Sequence, residues 1–187
     1  MSLRNGFSDY YGIEAGVSVK GVTFTRPYVQ DNEISNCLFH NIHCGPAIMF
    51  STIEKIRLLI EECMIANCSA STHGGGVAFY SISGEIIMNK VCGFLCNTHG
   101  FIGQYLYSAQ NTASLSYVTL HRCGDKLPKG ESNSPIYSAY GVMNQSFCNS
   151  SNCHVRNYCL FEGRSLQRYN VDYTTFSENT ATVSYGM

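Results

Sequence analysis

Ile34-Ser-Asn-Cys-Leu-Phe39, Ile60-Glu-Glu-Cys-Met-Ile65, Asn89-Lys-Val-Cys-Gly-Phe94, Leu115-Ser-Tyr-Val-Thr-Leu120, Val142-Met-Asn-Gln-Ser-Phe147 and Val171-Asp-Tyr-Thr-Thr-Phe176 read as six versions of one segment. Anchored on their last residues, they recur after 26, 29, 26, 27 and 29 residues. Five residues before each anchor stands an apolar residue, Asn89 excepted, and two or three residues after it an Asn. These are Asn41, Asn67, Asn97, Asn149 and Asn179; the Leu120 repeat alone lacks one. A glycine-marked turn and a second apolar run follow, clearest in Gly45–Phe50 and Gly74–Tyr80. Helical repeats fill longer periods with 3.6-residue patterning, which is missing here. Ile53–Glu62 could pass for a short helix, but Ile60–Ile65 belongs to the repeat and favours a strand. The spacing therefore predicts an all-β chain: a single-stranded right-handed parallel β-helix (β-solenoid) of about six coils, 26–29 residues each. Strands stacked about 4.8 Å apart would make a column roughly 29 Å tall.

The anchors Phe39, Ile65, Phe94, Leu120, Phe147 and Phe176 are expected to share one buried column. The Asn residues form a second line, because side-chain amides at one turn can bond to those above and below and to nearby backbone. That ladder is structural. The organisation read from this is one β-helix domain over 1–187, a segment of a longer protein, with 1–33 as an N-terminal coil or cap. Residues 34–187 carry the repeats, and 122–135 form a protruding loop marked by mixed charge, Gly and Pro.

Hydrophobic residues make up 44% and charged residues 13%, which excludes disorder. A net charge of −1 provides no field for nucleic acid or acidic lipid, so neither a nucleic-acid partner nor direct membrane insertion is expected. No run approaches the ~18 apolar residues of a membrane span. The segment Met1–Asp9 has an early basic residue but no apolar stretch, so no signal peptide is read there. Ten Cys are many for a reducing compartment, yet the chain is too long for a small disulfide scaffold. An extracellular or cell-surface location, within a longer protein whose neighbouring coils continue this one, reconciles the two.

Phe94-Leu-Cys-Asn97, Phe176-Ser-Glu-Asn179-Thr-Ala and Gly74-Gly-Gly-Val-Ala78 resemble the FxxN and GGA(I/L/V) repeats of polymorphic outer-membrane-protein β-helices. Such repeats occur in chlamydial autotransporter passengers and in large surface proteins of protists. More broadly, residues 34 to 187 are similar to the pectin-lyase-like right-handed β-helix superfamily. The chain departs from the repeat pattern in having one true glycine cluster, and in placing the Asn one residue early after Phe39 and Ile65. The resemblance implies surface display and adhesion rather than catalysis.

Several constellations bear on function. Cys37, Cys63 and Cys92 share a register in consecutive repeats and are read as small, inward, free thiols; inter-coil bridging is the alternative. Cys148, Cys153, His154 and Cys159 offer zinc-ligand types at a non-standard spacing. His43, His73 and His99 each fall near a glycine turn and are candidate metal ligands, set against the plainer reading that His tolerates turn geometry. Tyr80, Tyr105, Tyr107 and Tyr137 follow the second turn in successive repeats, where an aromatic stripe could hold sugar rings or simply stack as core. The four Asp are scattered, and Glu61 and Glu62 neighbour each other without acidic partners on adjacent repeats. Glycan cleavage needs carboxylates converging from neighbouring coils. The expectation is thus a non-catalytic surface or adhesion module that binds or displays a glycan or protein ligand, with no cofactor. The alternatives are a carbohydrate lyase or hydrolase of pectin-lyase type and a purely structural spacer.

Overall fold

The computed structural model describes residues 11, 17–20, 31–43, 45–99, 103–124, 134–155 and 161–181. The 1–33 cap region is described only at residues 11, 17–20 and 31–33, and most of the 122–135 loop lies outside the described residues. Every strand pairing is parallel, and the strands stack coil on coil into a parallel β-helix of about five turns.

Each coil runs through the same stations. One strand ends at a first turn, as Arg57–Glu61 does; a three-residue strand follows, as Met64–Ala66; a second turn leads to a two-residue strand, as Ser69–Ala70. A longer connection brings the chain to the strand that opens the next coil. In the third and fourth coils that strand fuses with the following one into Val77–Asn89 and Leu106–Ser116, bent where the register slips between Gln110 and Thr112. The stretch 53–62 accordingly ends in a strand, as the repeat requires.

Both short turns use left-handed backbone in coil after coil. Asn36, Glu62, Lys90, Tyr117, Phe147 and Tyr173 have φ between 48° and 54°; Asn41, Asn67, Leu95, Arg122, Asn152 and Glu178 lie between 52° and 56°. One left-handed residue turns the strand sharply and sends the next side chain inward. Behind the first column lie Cys37, Cys63, Val91, Val118 and Cys148, all buried. Behind the second lie Cys68, Cys96, Cys123 and Cys153, also buried.

The register corrects the expected anchor column. Phe39 pairs with Ile65, Ile65 with Gly93, Gly93 with Leu120, Leu120 with Ser150 and Ser150 with Phe176. Phe94 is one residue past the column and points outward, where its ring stacks on His121 at 5.8 Å. Phe147 occupies a left-handed turn position and is 48% exposed. The site opposite Ile65 is left to a glycine because the fully buried Tyr105 ring fills the space. A Cβ built on Gly93 would lie 2.4 Å from that ring, and one on Gly76 2.7 Å from it.

The asparagine line is also corrected. Only Asn41 and Asn67 share a column, joined by a bond from the Asn67 amide to the Asn41 carbonyl oxygen. Asn97 pairs with Ser69 two positions later, and Asn149 lies in an outward strand position opposite Thr119. Asn179 is one position past the turn, where its oxygen accepts from the Cys153 amide at 2.8 Å and its nitrogen donates to the Ser150 carbonyl at 2.9 Å. The Cys37–Cys63 stack is present, but Cys92 is exposed and Val91 takes its expected place inside.

Candidate binding site

The strands Ile48–Ser51, Val77–Tyr80, Leu106–Ala109, Ile136–Ala139 and Phe161–Arg164 lie in register and form one side of the solenoid. Period-two alternation sends Ile48, Phe50, Val77, Phe79, Leu106 and Ile136 inward, leaving two outward columns. One runs Met49, Ala78, Tyr107, Tyr137, Glu162; the other runs Ser51, Tyr80, Ala109, Ala139, Arg164. Alanines beside tyrosines leave troughs between rings, and Tyr107, Ala109, Tyr137 and Ala139 make an apolar cluster separate from the core.

The rings form a continuous row. His73 stacks on Tyr107 at 4.6 Å between centroids, and Tyr107 on Tyr137 at 5.5 Å with planes 9° apart. Tyr80 stands beside them, 36% exposed, and Tyr140 is 49% exposed at the adjoining bend. Burial raises the Tyr107 phenol above its ordinary pKa, and the neighbouring phenols of Tyr137, Tyr80 and Tyr140 add to the rise, so it stays a neutral hydroxyl. Against this row lies a groove of about 270 Å³, bounded by Met49, Ala78, Tyr80, Thr72, His73 and Tyr107 among others. Its lining includes no carboxylate, ammonium or guanidinium group.

Of the four tyrosines read from the sequence, Tyr80, Tyr107 and Tyr137 share this side, but Tyr137 is buried and only Tyr80 and Tyr107 line the groove. Tyr105 does not: it points into the core, fully buried, because the turn after Gly103 puts it one residue out of phase with Tyr107. The sequence missed His73 as an aromatic partner, and Met49 and the alanines that shape the trough. The alternation of 48–51 with 77–80 could have found them.

The three histidines do not stack. His43 bonds the Ser69 hydroxyl at 2.9 Å, His73 lies on Tyr107, and His99 is exposed beyond the paired Asn97–Thr98 strand. Cys148 and Cys153 belong to different inward columns, His154 bonds the Thr180 hydroxyl, and Cys159 lies outside the described residues. Among the described residues no three His, Cys, Asp or Glu side chains come together as a metal site.

One charged constellation escaped the sequence reading. Asp31, Arg57 and Glu85 meet on three consecutive coils: the Arg57 guanidinium reaches Asp31 at 3.4 Å and Glu85 at 4.0 Å, and Lys55 reaches Glu85 at 3.0 Å. The Arg57 backbone amide donates to Asp31 at 2.7 Å, and Arg57 also lies 5.8 Å from the centre of the Tyr11 ring. The slip of the motif in the third coil hid this group: Arg57 pairs with Glu85 in the strand register, yet counted back from Phe94 Glu85 falls one residue early. Glu61, by contrast, is buried and accepts from the Asn89 amide at 2.8 Å, while Glu62 pairs outward with Lys90 at 2.8 Å.

Compared with protein-family models, curated proteins and solved structures, the chain matches none of them. Among the described residues, no helix is long and apolar enough to cross a membrane.

Proposed function

We propose that this chain is a non-catalytic β-helix module that binds a glycan on its tyrosine face and serves as part of a longer surface or adhesion protein. The observation that carries the reading is the stacked His73–Tyr107 pair that, with Tyr80, lines an uncharged groove. Sugar rings present apolar C–H faces and a rim of hydroxyls. Aromatic rings take the first, and the Ser51, Thr72 and Tyr80 hydroxyls and the His73 ring can take the second. The groove is just under the usual lower bound of about 300 Å³ for small-molecule sites, so it suits one ring at a time. A chain of sugars would lie across successive coils, which fits modest affinity from a rigid surface. The resemblance to FxxN-repeat surface β-helices supports the same reading.

The test is a glycan array followed by titration of the best hits. Tyr107→Ala should weaken binding by at least tenfold, because it removes the central ring of the row. Tyr105→Phe, an inward change, should leave affinity unaltered. Unchanged binding in Tyr107→Ala would sink the assignment of the face. No binding to any glycan or protein probe would favour the structural spacer.

The Asp31–Arg57–Glu85 group favours a second reading, a carbohydrate lyase or hydrolase, since carboxylates and a guanidinium from adjacent coils are the groups such chemistry uses. Here each carboxylate is engaged by a cation, and Asp31 by a backbone amide as well. Release of reducing ends or unsaturated products that disappears with Glu85→Gln would replace the binding reading with this one.

A further inference from the structure

The second turn stacks four thiols in consecutive coils. Cys68, Cys96, Cys123 and Cys153 each follow a left-handed residue and are 0% exposed. The residue after each of the last three donates its amide to the carbonyl of the cysteine in the coil before. Asn97 bonds Cys68 at 3.0 Å, Gly124 bonds Cys96 at 2.9 Å and His154 bonds Cys123 at 3.1 Å. That places neighbouring Cα atoms about one coil rise, ~4.8 Å, apart. Disulfides span Cα separations of about 4.4–6.8 Å, so each adjacent pair is within bridging range, with the Cβ atoms needing only a small approach. Each thiol also donates to the backbone carbonyl two residues before it, Cys68 to Ala66 at 3.3 Å and Cys153 to Ser151 at 3.5 Å.

We propose that this ladder is a covalent modification site, closed as Cys68–Cys96 and Cys123–Cys153 when the chain folds in the presence of a small disulfide oxidant. The pairing follows from adjacency, because linking Cys96 to Cys123 would strand the two outer thiols. In each pair, one thiolate attacks the oxidant disulfide, forming a mixed disulfide and expelling one oxidant thiolate. The second cysteine thiolate attacks the bound protein sulfur and expels the other. Two protein thiols become one S–S bond, and the oxidant leaves as two thiols carrying the two protons. Each link ties one coil to the next across the interface on which solenoid stability depends. Full burial sets the timing: bridging occurs before the coils close, and the folded core then shields links and thiols alike from reagents.

The experiment refolds the full chain from denaturant with and without an oxidised and reduced glutathione mixture. Alkylation in denaturant and peptide mapping follow. Expected are the Cys68–Cys96 and Cys123–Cys153 peptides, a higher denaturation midpoint than the reduced protein, and reversal by dithiothreitol only after unfolding. Full alkylation of all four cysteines in an oxidatively refolded, natively structured product would overturn the proposal. So would links to Cys92 or across two coils. Two double variants check adjacency. Cys68→Ala with Cys153→Ala should form the Cys96–Cys123 link, whereas Cys68→Ala with Cys123→Ala leaves Cys96 and Cys153 two coils apart and should form none. A Cys96–Cys153 link would contradict the ladder.

Discussion

Tyr105 and Gly93 settle one coil between them. A phenol ring occupies the space that a large apolar side chain fills in the coils above and below, and its hydroxyl, near Cys63, Cys96 and Cys123, is buried with no hydrogen-bond partner among the described residues. A buried unpartnered hydroxyl costs about 1–3 kcal/mol. Tyr105→Phe should therefore match or exceed the parent's stability in urea unfolding, by up to about 1–2 kcal/mol; a clear loss would show that the hydroxyl is satisfied. The same column separates two phenylalanines that look alike in sequence. Phe39 is fully buried, so Phe39→Ala should cost about 3–5 kcal/mol. Phe94 lies outside the column and partly exposed, so Phe94→Ala should cost no more than about 1.5 kcal/mol, the scale of its ring contact with His121. Equal losses at the two positions would refute the register. From sequence, Phe94 was the expected core residue. Apolar character alone cannot tell inward from outward when an aromatic stack stabilises the outer face.

At the scale of the turn, the repeated left-handed residue is the device that makes one coil like the next. Non-glycine residues in this region cost roughly 1–2 kcal/mol each, least for Asn, and the two columns include Leu95, Tyr117 and Phe147. Side-chain ladders offset that cost: the Asn67–Asn41 amide bond in one column, and in the other the Tyr117, Phe147 and Tyr173 rings stacked at 5.0 and 5.1 Å. Asn67→Val, which combines a β-branched residue with a lost amide bond, should lower stability by about 2–3 kcal/mol. Asn67→Gly, at ease at positive φ, should lose less than half of that; similar losses by thermal melting would argue against the turn conformation. The period of these turns was legible, because chain length per coil is set by geometry. Their phase was not. The intervals between stacked positions are 26, 28, 27, 30 and 26 residues, so a motif matched at constant offset slips by one residue at Phe94 and by three at Phe147. For the same reason the sequence does not separate the inward Tyr105 from the outward Tyr80, Tyr107 and Tyr137, and the thiol column behind the second turn goes unread.

Over the whole molecule, the core contains groups that belong inside only when neutral. Burial pushes the Cys63 thiol up to about 12, and the phenols of Tyr11, Tyr105 and Tyr169 are raised as well. The folded chain thus holds these protons more tightly than the unfolded chain, whose thiols titrate near 9. Stability from them is complete below about pH 9 and declines as pH rises from there toward 12. Denaturation midpoints of the reduced protein should be level from pH 7 to 8.5 and fall steeply above pH 9; a midpoint unchanged at pH 10.5 would show that the thiols are open to water. The two columns of left-handed turns have one more consequence. Leu95 and Arg122 are equivalent points on successive coils, so removing residues 95–121 would set Arg122 directly above Asn67 with every column still aligned. Removing half that length would throw every column above the cut out of alignment. A gene encoding such a chain can lengthen or shorten only in whole steps, and its length is counted in coils rather than in residues.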